Sequence, residues 1–249
     1  MKLKPLLLCF LAASILVLSF FWPPTRACWD VIDIAFFKLI NGSLEGHFGL
    51  QRFWALANHR KVDWLEDLVF ITFFLVAIRA APKALRLKRA AQFLFLIFYA
   101  ALIIYSVNAL FFRDNYRIHR PSPTLVLPSS VRIAQTVPHL HIKDATSTSF
   151  PGDHATTLLL FAGGYALYSG RKLGTYAAIY AIFRCMPRMI AGAHWISDII
   201  VGSGAITLCF LGLAFCTPLQ SWCVSYLEAF LRLFKKKAFV TTETEKAQR

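Results

Sequence analysis

Long apolar stretches separated by short polar segments run along most of the chain. A helix needs about 20 mostly apolar residues to cross a membrane. Four stretches carry no Asp, Glu, Lys or Arg, and these are residues 5–22, 91–112, 155–170 and 199–227. Two weaker candidates, residues 64–81 and 173–195, carry charges near their ends or in their second half. The pattern predicts an all-α fold, an integral membrane bundle of about six transmembrane helices.

The composition agrees with this class of protein. Of the 249 residues, 57% are hydrophobic and 16% are charged, and the mean hydropathy is +0.54. A soluble domain of this length needs more charge to cover its surface. We expect one membrane-embedded domain over residues 1–240. A polar tail at residues 241–249 is predicted to be disordered in the cytoplasm.

The positive charges predict the orientation of the bundle. Lys and Arg accumulate in cytoplasmic loops, and six spans place four basic clusters on one side. These clusters are Lys2 and Lys4; Arg79, Lys83, Arg86, Lys88 and Arg89; Arg171 and Lys172; and Lys235, Lys236 and Lys237. Such charges also contact anionic membrane lipids. The net charge of +14 therefore needs no nucleic-acid partner, and no nucleic-acid motif is visible.

The first apolar stretch follows a basic start and has the layout of a signal peptide. Residues 25–27 form a poor cleavage site, so we expect the stretch to remain as the first span. The opposite, outer side of the membrane then holds residues 23–63, residues 113–153 and the turn between the last two spans.

Three clusters of polar residues fall on this outer side, and their chemistry suits phosphoryl transfer. Arginine forks bind phosphate oxygens in pairs and stay charged at any working pH; the candidates are Arg113, Arg120 and Arg188. Two histidines, His154 and His194, can serve as nucleophile and general acid. A carboxylate four residues after a histidine can reach its ring on a helix. Asp198 is therefore predicted to orient His194 and to stabilise its positive charge.

Structural interpretations compete for several of these side chains. Arg184 has two equally consistent interpretations. Its long side chain either extends from the membrane interior to the lipid headgroups or has a role in the site. Asp153 either forms an ion pair with Arg188 or Arg120, or tunes the second step of a transfer. His139 and His141 lack a third metal ligand nearby. No metal site and no cofactor are expected.

Taken together, the motifs resemble the three-part signature of the type-2 phosphatidate phosphatase superfamily. The matching segments are Arg113-x6-Arg120-Pro121, Pro151-x2-His154 and Arg188-x5-His194-x3-Asp198. The resemblance implies that His194 is the nucleophile, that His154 protonates the leaving group and that the arginines bind phosphate without a metal.

The chain departs from the common signature at three places. The usual Pro-Ser-Gly-His is Pro151-Gly152-Asp153-His154, the usual Ser-Arg is Pro187-Arg188, and Arg113 stands where lysine is usual. These variants resemble a bacterial subgroup that moves the terminal phosphate of undecaprenyl diphosphate to the 1-phosphate of lipid A. The resemblance implies an inner-membrane enzyme with a periplasmic active site.

Gly152 and Asp153 are the candidates for setting the choice of acceptor. Basic residues of the same outer loop, Arg117, Arg132 and Lys143, are candidates for holding a second lipid phosphate. If water is the acceptor, the protein is a lipid phosphatase, for example one acting on undecaprenyl diphosphate. A non-catalytic membrane protein is disfavoured because it would place charges near the middle of the bilayer.

Overall fold

The computed structural model describes residues 1–116 and 118–247, with side chains as far as residue 234. The described residues form helices, turns and loops, and no strand is found among them. The longer helices are α1 (Leu3–Phe21), α2 (Pro23–Gly42), α3 (Phe48–Ala57), α4 (Arg60–Ala80), α5 (Arg86–Ile103), α8 (Asp153–Ser169), α9 (Arg171–Ile190), α10 (Gly204–Cys216) and α11 (Leu219–Ala247).

Short elements connect or extend these helices. A 3₁₀ turn at Lys83–Leu85 precedes α5, and a π-helix at Ile104–Asn115 continues it. Another π-helix, Asp198–Ser203, leads into α10. The long loop between α5 and α8 contains two single turns, α6 (Pro123–Val126) and α7 (Ile133–Thr136).

Three helices in the described part of the chain are long and apolar enough to cross a membrane: Leu3–Phe21, Lys83–Asn115 and Asp198–Cys216. The protein is therefore a helical membrane protein. The other predicted stretches also lie in helices, but α8 has only 17 residues and both α4 and α9 carry several charges. The six-span arrangement thus remains a prediction.

The prediction of one span over residues 199–227 is wrong. The helix ends at Cys216, Thr217 is extended, and α11 begins at Leu219. Pro218 explains the break, because proline has no N–H to donate and disfavours helical geometry in the residue before it. The backbone of α11 is helical as far as Ala247, within the tail for which the sequence predicts disorder, and the rest of that tail lies outside the described residues.

Helix α8 lies at the centre of the bundle and packs against α5, α9 and α10. Its buried aromatic residues Phe161 and Tyr165 join Phe73, Phe74 and Phe93 in a cluster of tilted and stacked rings. Aromatic pairs of this kind contribute about 0.5–1.5 kcal/mol beyond their buried area. They hold the second half of α8 against α4 and α5.

Two ends of the bundle can be distinguished by their contacts. At one end the N–H of Lys2 donates to the carbonyl of Cys216 (2.8 Å), and the guanidinium of Arg89 donates to the carbonyl of Tyr168. At the other end the Ser203 hydroxyl donates to the carbonyl of Gly152 (2.9 Å). The start of α8 and the outer loop between α5 and α8 therefore lie opposite the basic starts of α1 and α5.

Helices α8 and α9 approach closely at Gly174. A Cβ added there would lie 2.5 Å from the Cβ and 2.8 Å from the backbone Cα of Ala166, and the backbone of α8 cannot yield. Gly174→Ala is expected to lower the free energy of unfolding by about 1–3 kcal/mol, measured by thermal unfolding of the detergent-solubilised protein.

Gly49 in α3 provides the matched control for this substitution. A Cβ at Gly49 meets nothing within 4 Å, so Gly49→Ala should be neutral or stabilising by up to about 1 kcal/mol. Equal loss of stability in both variants would contradict the close approach of α8 and α9.

Candidate active site

A cavity of about 240 Å³ lies where the starts and ends of several helices meet. The start of α8, the π-helix after α5, the end of α9, the turn that follows α9 and the outer loop all contribute. Its lining consists of Asn108, Phe112, Arg113, Lys143, Thr148, Phe150, Pro151, Asp153, His154, Arg188 and His194. The structure thus brings Arg113, His154, Arg188 and His194 together, as their spacing predicts.

His194 lies in the turn after α9, with its ring at the wall of the cavity. Its Nδ1 is 2.8 Å from the carbonyl oxygen of Ser149. A carbonyl only accepts hydrogen bonds, so Nδ1 carries the proton and Nε2 has the free electron pair. The ring therefore has the tautomer that a nucleophilic Nε2 requires.

A glycine allows the turn that presents His194. Gly192 has a φ of +81°, and a Cβ there would lie 2.4 Å from Cγ2 of Thr124. Only glycine adopts this conformation readily. The short segment between α9 and the following π-helix can therefore double back towards the outer loop.

Asp198 lies beside the ring of His194 and also supports this turn. Its Oδ2 lies 3.6 Å from Nδ1 of His194, beyond hydrogen-bond distance, and accepts the backbone N–H of Trp195 (2.8 Å). Its Oδ1 pairs with Arg120. The four-residue spacing thus brings this carboxylate close to the ring, while the hydrogen bond at Nδ1 is made with the carbonyl of Ser149.

Arg120 is buried behind the cavity and is not among its lining residues. It pairs with both Asp198 and Asp33, and its guanidinium stacks over the rings of Phe20 and Trp195 at 4.9 and 5.6 Å. In this structure Arg120 thus braces the His194 turn, whereas the sequence predicts that it binds phosphate.

Asp33 is a member of this network that the sequence analysis missed. The carboxylate of Asp33, in the middle of α2, accepts hydrogen bonds from the N–H (3.0 Å) and the hydroxyl (2.6 Å) of Ser197. Burial raises the pKa of Asp33, while the bonds from Ser197 and the charge of Arg120 oppose that rise. No motif surrounds Asp33, so nothing local in the sequence indicates its role.

His154, the second residue of α8, faces His194 across the same cavity. Its Nε2 lies 3.5 Å from the Glu66 carboxylate. Desolvation and, to a lesser extent, the positive charges of Arg188 and Arg184 lower the pKa of His154 to about 3. The imidazole is therefore neutral in the empty cavity. A bound anion that offsets the arginine charges will raise this pKa.

Helices α4 and α9 interlock through two carboxylates and two arginines. Arg184 donates to Glu66 (2.8 Å) and to the carbonyl of Ala57 (3.1 Å), and Arg188 lies 3.4 Å from Asp63. Arg184 is buried, so the alternative in which it extends to the lipid headgroups is wrong. The spacings 63/66 and 184/188 each place two side chains on one helix face, but neither indicates the partner helix.

Asp153 makes a different contact from those weighed in the sequence analysis. Its Oδ1 accepts a hydrogen bond from the amide of Asn108 (2.9 Å), and none of the ion pairs described for this chain joins it to Arg188 or Arg120. As the first residue of α8, the carboxylate lies where the helix dipole favours negative charge. The favourable interaction with the helix dipole offsets part of the repulsion between this carboxylate and a phosphate.

Arg113 and Gly152 complete the set of predicted residues. Arg113 lines the cavity and lies 3.3 Å from Asp114. Gly152 accepts at its carbonyl from Thr156 and Ser203 (both 2.9 Å), which fixes the start of α8. Within the described residues no group of three or more His, Cys, Asp or Glu is placed to hold a metal ion. The absence of a metal from the reaction stays a prediction.

These features define a membrane-embedded site for handling phosphate groups, and the chain belongs to the PAP2 superfamily, whose family model matches residues 96–223. The resemblance drawn from the three motifs is thereby confirmed. A more particular similarity is to the lipid A 1-diphosphate synthase of Escherichia coli (strain K12). The two sequences are 28% identical over 216 residues, which cover 87% of this chain and 89% of that protein. No solved structure matches the chain.

The role of Asp33 can be tested by its removal. Asp33→Ala leaves Ser197 without its acceptor and Arg120 with one carboxylate. The free energy of unfolding should therefore fall by about 3 kcal/mol. Displacement of the His194 turn should also slow turnover by about 10²-fold. Thermal unfolding and the rate at which a lipid diphosphate is consumed measure the two effects.

Asp30→Ala, one turn away on α2, is the control. Asp30 pairs with Arg26 at 2.8 Å on the surface, and such exposed pairs contribute about 0–1 kcal/mol. If Asp33→Ala behaves like Asp30→Ala in both assays, the buried network does not support the turn.

Proposed function

We propose that the chain is a phosphotransferase that moves the terminal phosphate of undecaprenyl diphosphate to the 1-phosphate of lipid A through a phosphohistidine. The observation that carries the proposal is the setting of His194. Its Nδ1 is tied to the carbonyl of Ser149, and its ring borders a cavity that also contains Arg113, Arg188 and His154. Family membership and the named relative support the same class of reaction.

In the first half-reaction the terminal phosphoryl group lies between the guanidinium groups of Arg113 and Arg188. The Nε2 electron pair of His194 attacks phosphorus, and the anhydride P–O bond breaks. The Nδ1 proton stays on the ring and is held by Ser149, so the phosphorylated imidazole is positively charged. The arginines stabilise the charge on the equatorial oxygens, which is the main demand of phosphoryl transfer.

His154 protonates the departing lipid phosphate. In the empty cavity its low pKa keeps it neutral. The negative charge of a bound diphosphate raises the pKa, so that a proton is held only when substrate is present. Glu66 lies 3.5 Å from His154 and faces the imidazolium that forms. Because Glu66 already pairs with Arg184, it does not keep His154 charged before a substrate binds.

In the second half-reaction the P–N bond breaks and an oxygen of the acceptor phosphate forms the new P–O bond. The electron pair returns to Nε2, and the starting tautomer of His194 is restored. Because the phosphohistidine conserves much of the anhydride's transfer potential, no nucleotide is required. This matters on the side of the membrane that has no ATP.

We propose a six-span topology with the site on the periplasmic side of the bacterial inner membrane. The supporting observation is the contact pattern of the bundle. The basic starts of α1 and α5 lie at the end opposite the start of α8 and the cavity. Lys and Arg favour the cytoplasmic side, so the cavity belongs on the outer side, where both lipids are present.

His194→Ala is expected to abolish transfer, since loss of a nucleophile costs about 10⁴-fold or more in rate. The assay uses purified protein and undecaprenyl diphosphate labelled in its terminal phosphate, with and without lipid A. Wild-type protein should acquire acid-labile, alkali-stable label and pass it to lipid A. The variant should acquire none.

His139→Ala is the matched control, because His139 is an exposed loop residue outside the cavity. It should retain wild-type turnover. Wild-type turnover by the His194 variant would rule out the phosphohistidine route. Wild-type protein that releases only free phosphate in the presence of lipid A would identify a lipid phosphatase instead.

The residues before His154 are expected to set the partition between lipid acceptor and water. The common signature has a serine that can donate to phosphate, whereas Gly152 has no side-chain donor and Asp153 adds a negative charge that repels hydroxide. Gly152→Ser fits sterically, since a Cβ there meets its nearest neighbours at 3.5–3.6 Å. Gly152→Ser with Asp153→Gly should shift the labelled phosphate from lipid A towards free phosphate.

The control carries Gly152→Ala with Asp153→Gly, which adds the Cβ without the hydroxyl. The ratio of labelled lipid A diphosphate to free phosphate is measured at matched donor consumption. A ratio that stays at the wild-type value in both double variants would exclude these two positions as determinants of the acceptor.

A further inference from the structure

Lys143 borders the phosphate cavity although it belongs to none of the three signature segments. It lines the cavity with Arg113 and Arg188 and is accessible to solvent. None of the ion pairs that the structure describes uses its ammonium group. The side chain is thus a cation at the mouth of the site, in the path of an arriving ligand.

The backbone around Lys143 is fixed by several contacts. Its carbonyl accepts from the amide of Asn58 (3.1 Å), and the next residue, Asp144, forms two bonds to Arg132 at 3.0 and 3.1 Å. Asp144 also accepts the N–H of Ala134 (3.1 Å). A cation on a pre-ordered backbone loses less freedom when it binds a ligand.

The electrostatics of Lys143 depend on its neighbours in the cavity. Desolvation lowers the pKa of Lys143, Asp153 raises it, and the charges of Arg188 and Arg113 lower it again. An anion bound between these cations would stabilise the charged form of the lysine.

Transfer between two lipids requires more positive charge than hydrolysis of one lipid. A phosphomonoester carries about −1.5 to −2 charges near neutral pH, and it must approach a phosphoryl group that is itself anionic. Two such groups repel strongly at contact unless cations lie beside both. Arg113 and Arg188 suffice for the phosphoryl group on His194, and the approaching group needs a cation of its own.

Arg132, another basic residue of the outer loop, does not meet this need. Arg132 is already bound to Asp144 through two hydrogen bonds, and Arg117 lies outside the described residues. We propose that Lys143 binds the phosphate group of the acceptor lipid, while Arg113 and Arg188 hold the group being transferred. This inference rests on the proposed function, since only a transferase has an acceptor to bind.

The test separates the affinities for the two substrates. Lys143→Met is assayed with labelled undecaprenyl diphosphate and lipid A, each varied in turn. The KM for lipid A should rise about tenfold, which corresponds to about 1.4 kcal/mol, whereas the KM for the donor should change less than twofold. Lys143→Arg, which keeps the positive charge, should recover most of the affinity for lipid A.

Lys61→Met is the matched control, because Lys61 is an exposed lysine outside the cavity. It should leave both KM values at wild-type levels. An unchanged KM for lipid A in Lys143→Met, or a rise in the KM for the donor as large as that for lipid A, would overturn the acceptor role. If the wild-type protein forms no lipid A diphosphate, it is the proposed function that fails.

Discussion

The buried network of Arg120, Asp33 and Asp198 is the interaction on which the active site depends. Removal of a guanidinium group from water is costly unless carboxylates compensate for it, and here two carboxylates do so. One comes from α2 and the other from the π-helix that leads into α10. The turn that carries His194 is therefore fixed relative to elements that are far apart in the sequence.

In this arrangement the residues that hold the His194 turn differ from those that line the cavity. Asp198 and Arg120 hold the turn, the carbonyl of Ser149 sets the tautomer of His194, and the cavity is left to Arg113, Arg188 and His154. A main-chain carbonyl only accepts hydrogen bonds, so it favours the tautomer with the proton on Nδ1 and leaves the electron pair of Nε2 free. Nucleophilic attack requires the neutral ring.

The carboxylates and arginines that join α4 to α9 lie close to the second histidine, His154. Glu66 binds Arg184 and lies beside His154, while Asp63 lies beside Arg188. Desolvation and the positive charges of Arg188 and Arg184 lower the pKa of His154. In the proposed mechanism a bound anion offsets these charges, so that electrostatics couples anion binding to acid catalysis.

The sequence by itself determined the helical membrane class, the family and several of the residues that line the cavity. Apolar length reports on membrane helices directly, and the signature spacings are local, so Arg113, His154, Arg188 and His194 could be identified before any fold was known. Pro218 was also visible in the sequence, although the continuous apolar pattern around it concealed the break between α10 and α11.

Only the tertiary structure decided which groups lie behind the cavity and which line it. The hydrogen bond at Nδ1 of His194 is made with Ser149 rather than with Asp198, and Arg120 is buried against Asp33 and Asp198. Asp33, Asp63 and Glu66 lie before the matched family segment and reach the site only through helix packing. Contacts between residues from 78 to 164 positions apart leave no periodic or spacing signal in one sequence, because they depend on which helix faces pack together.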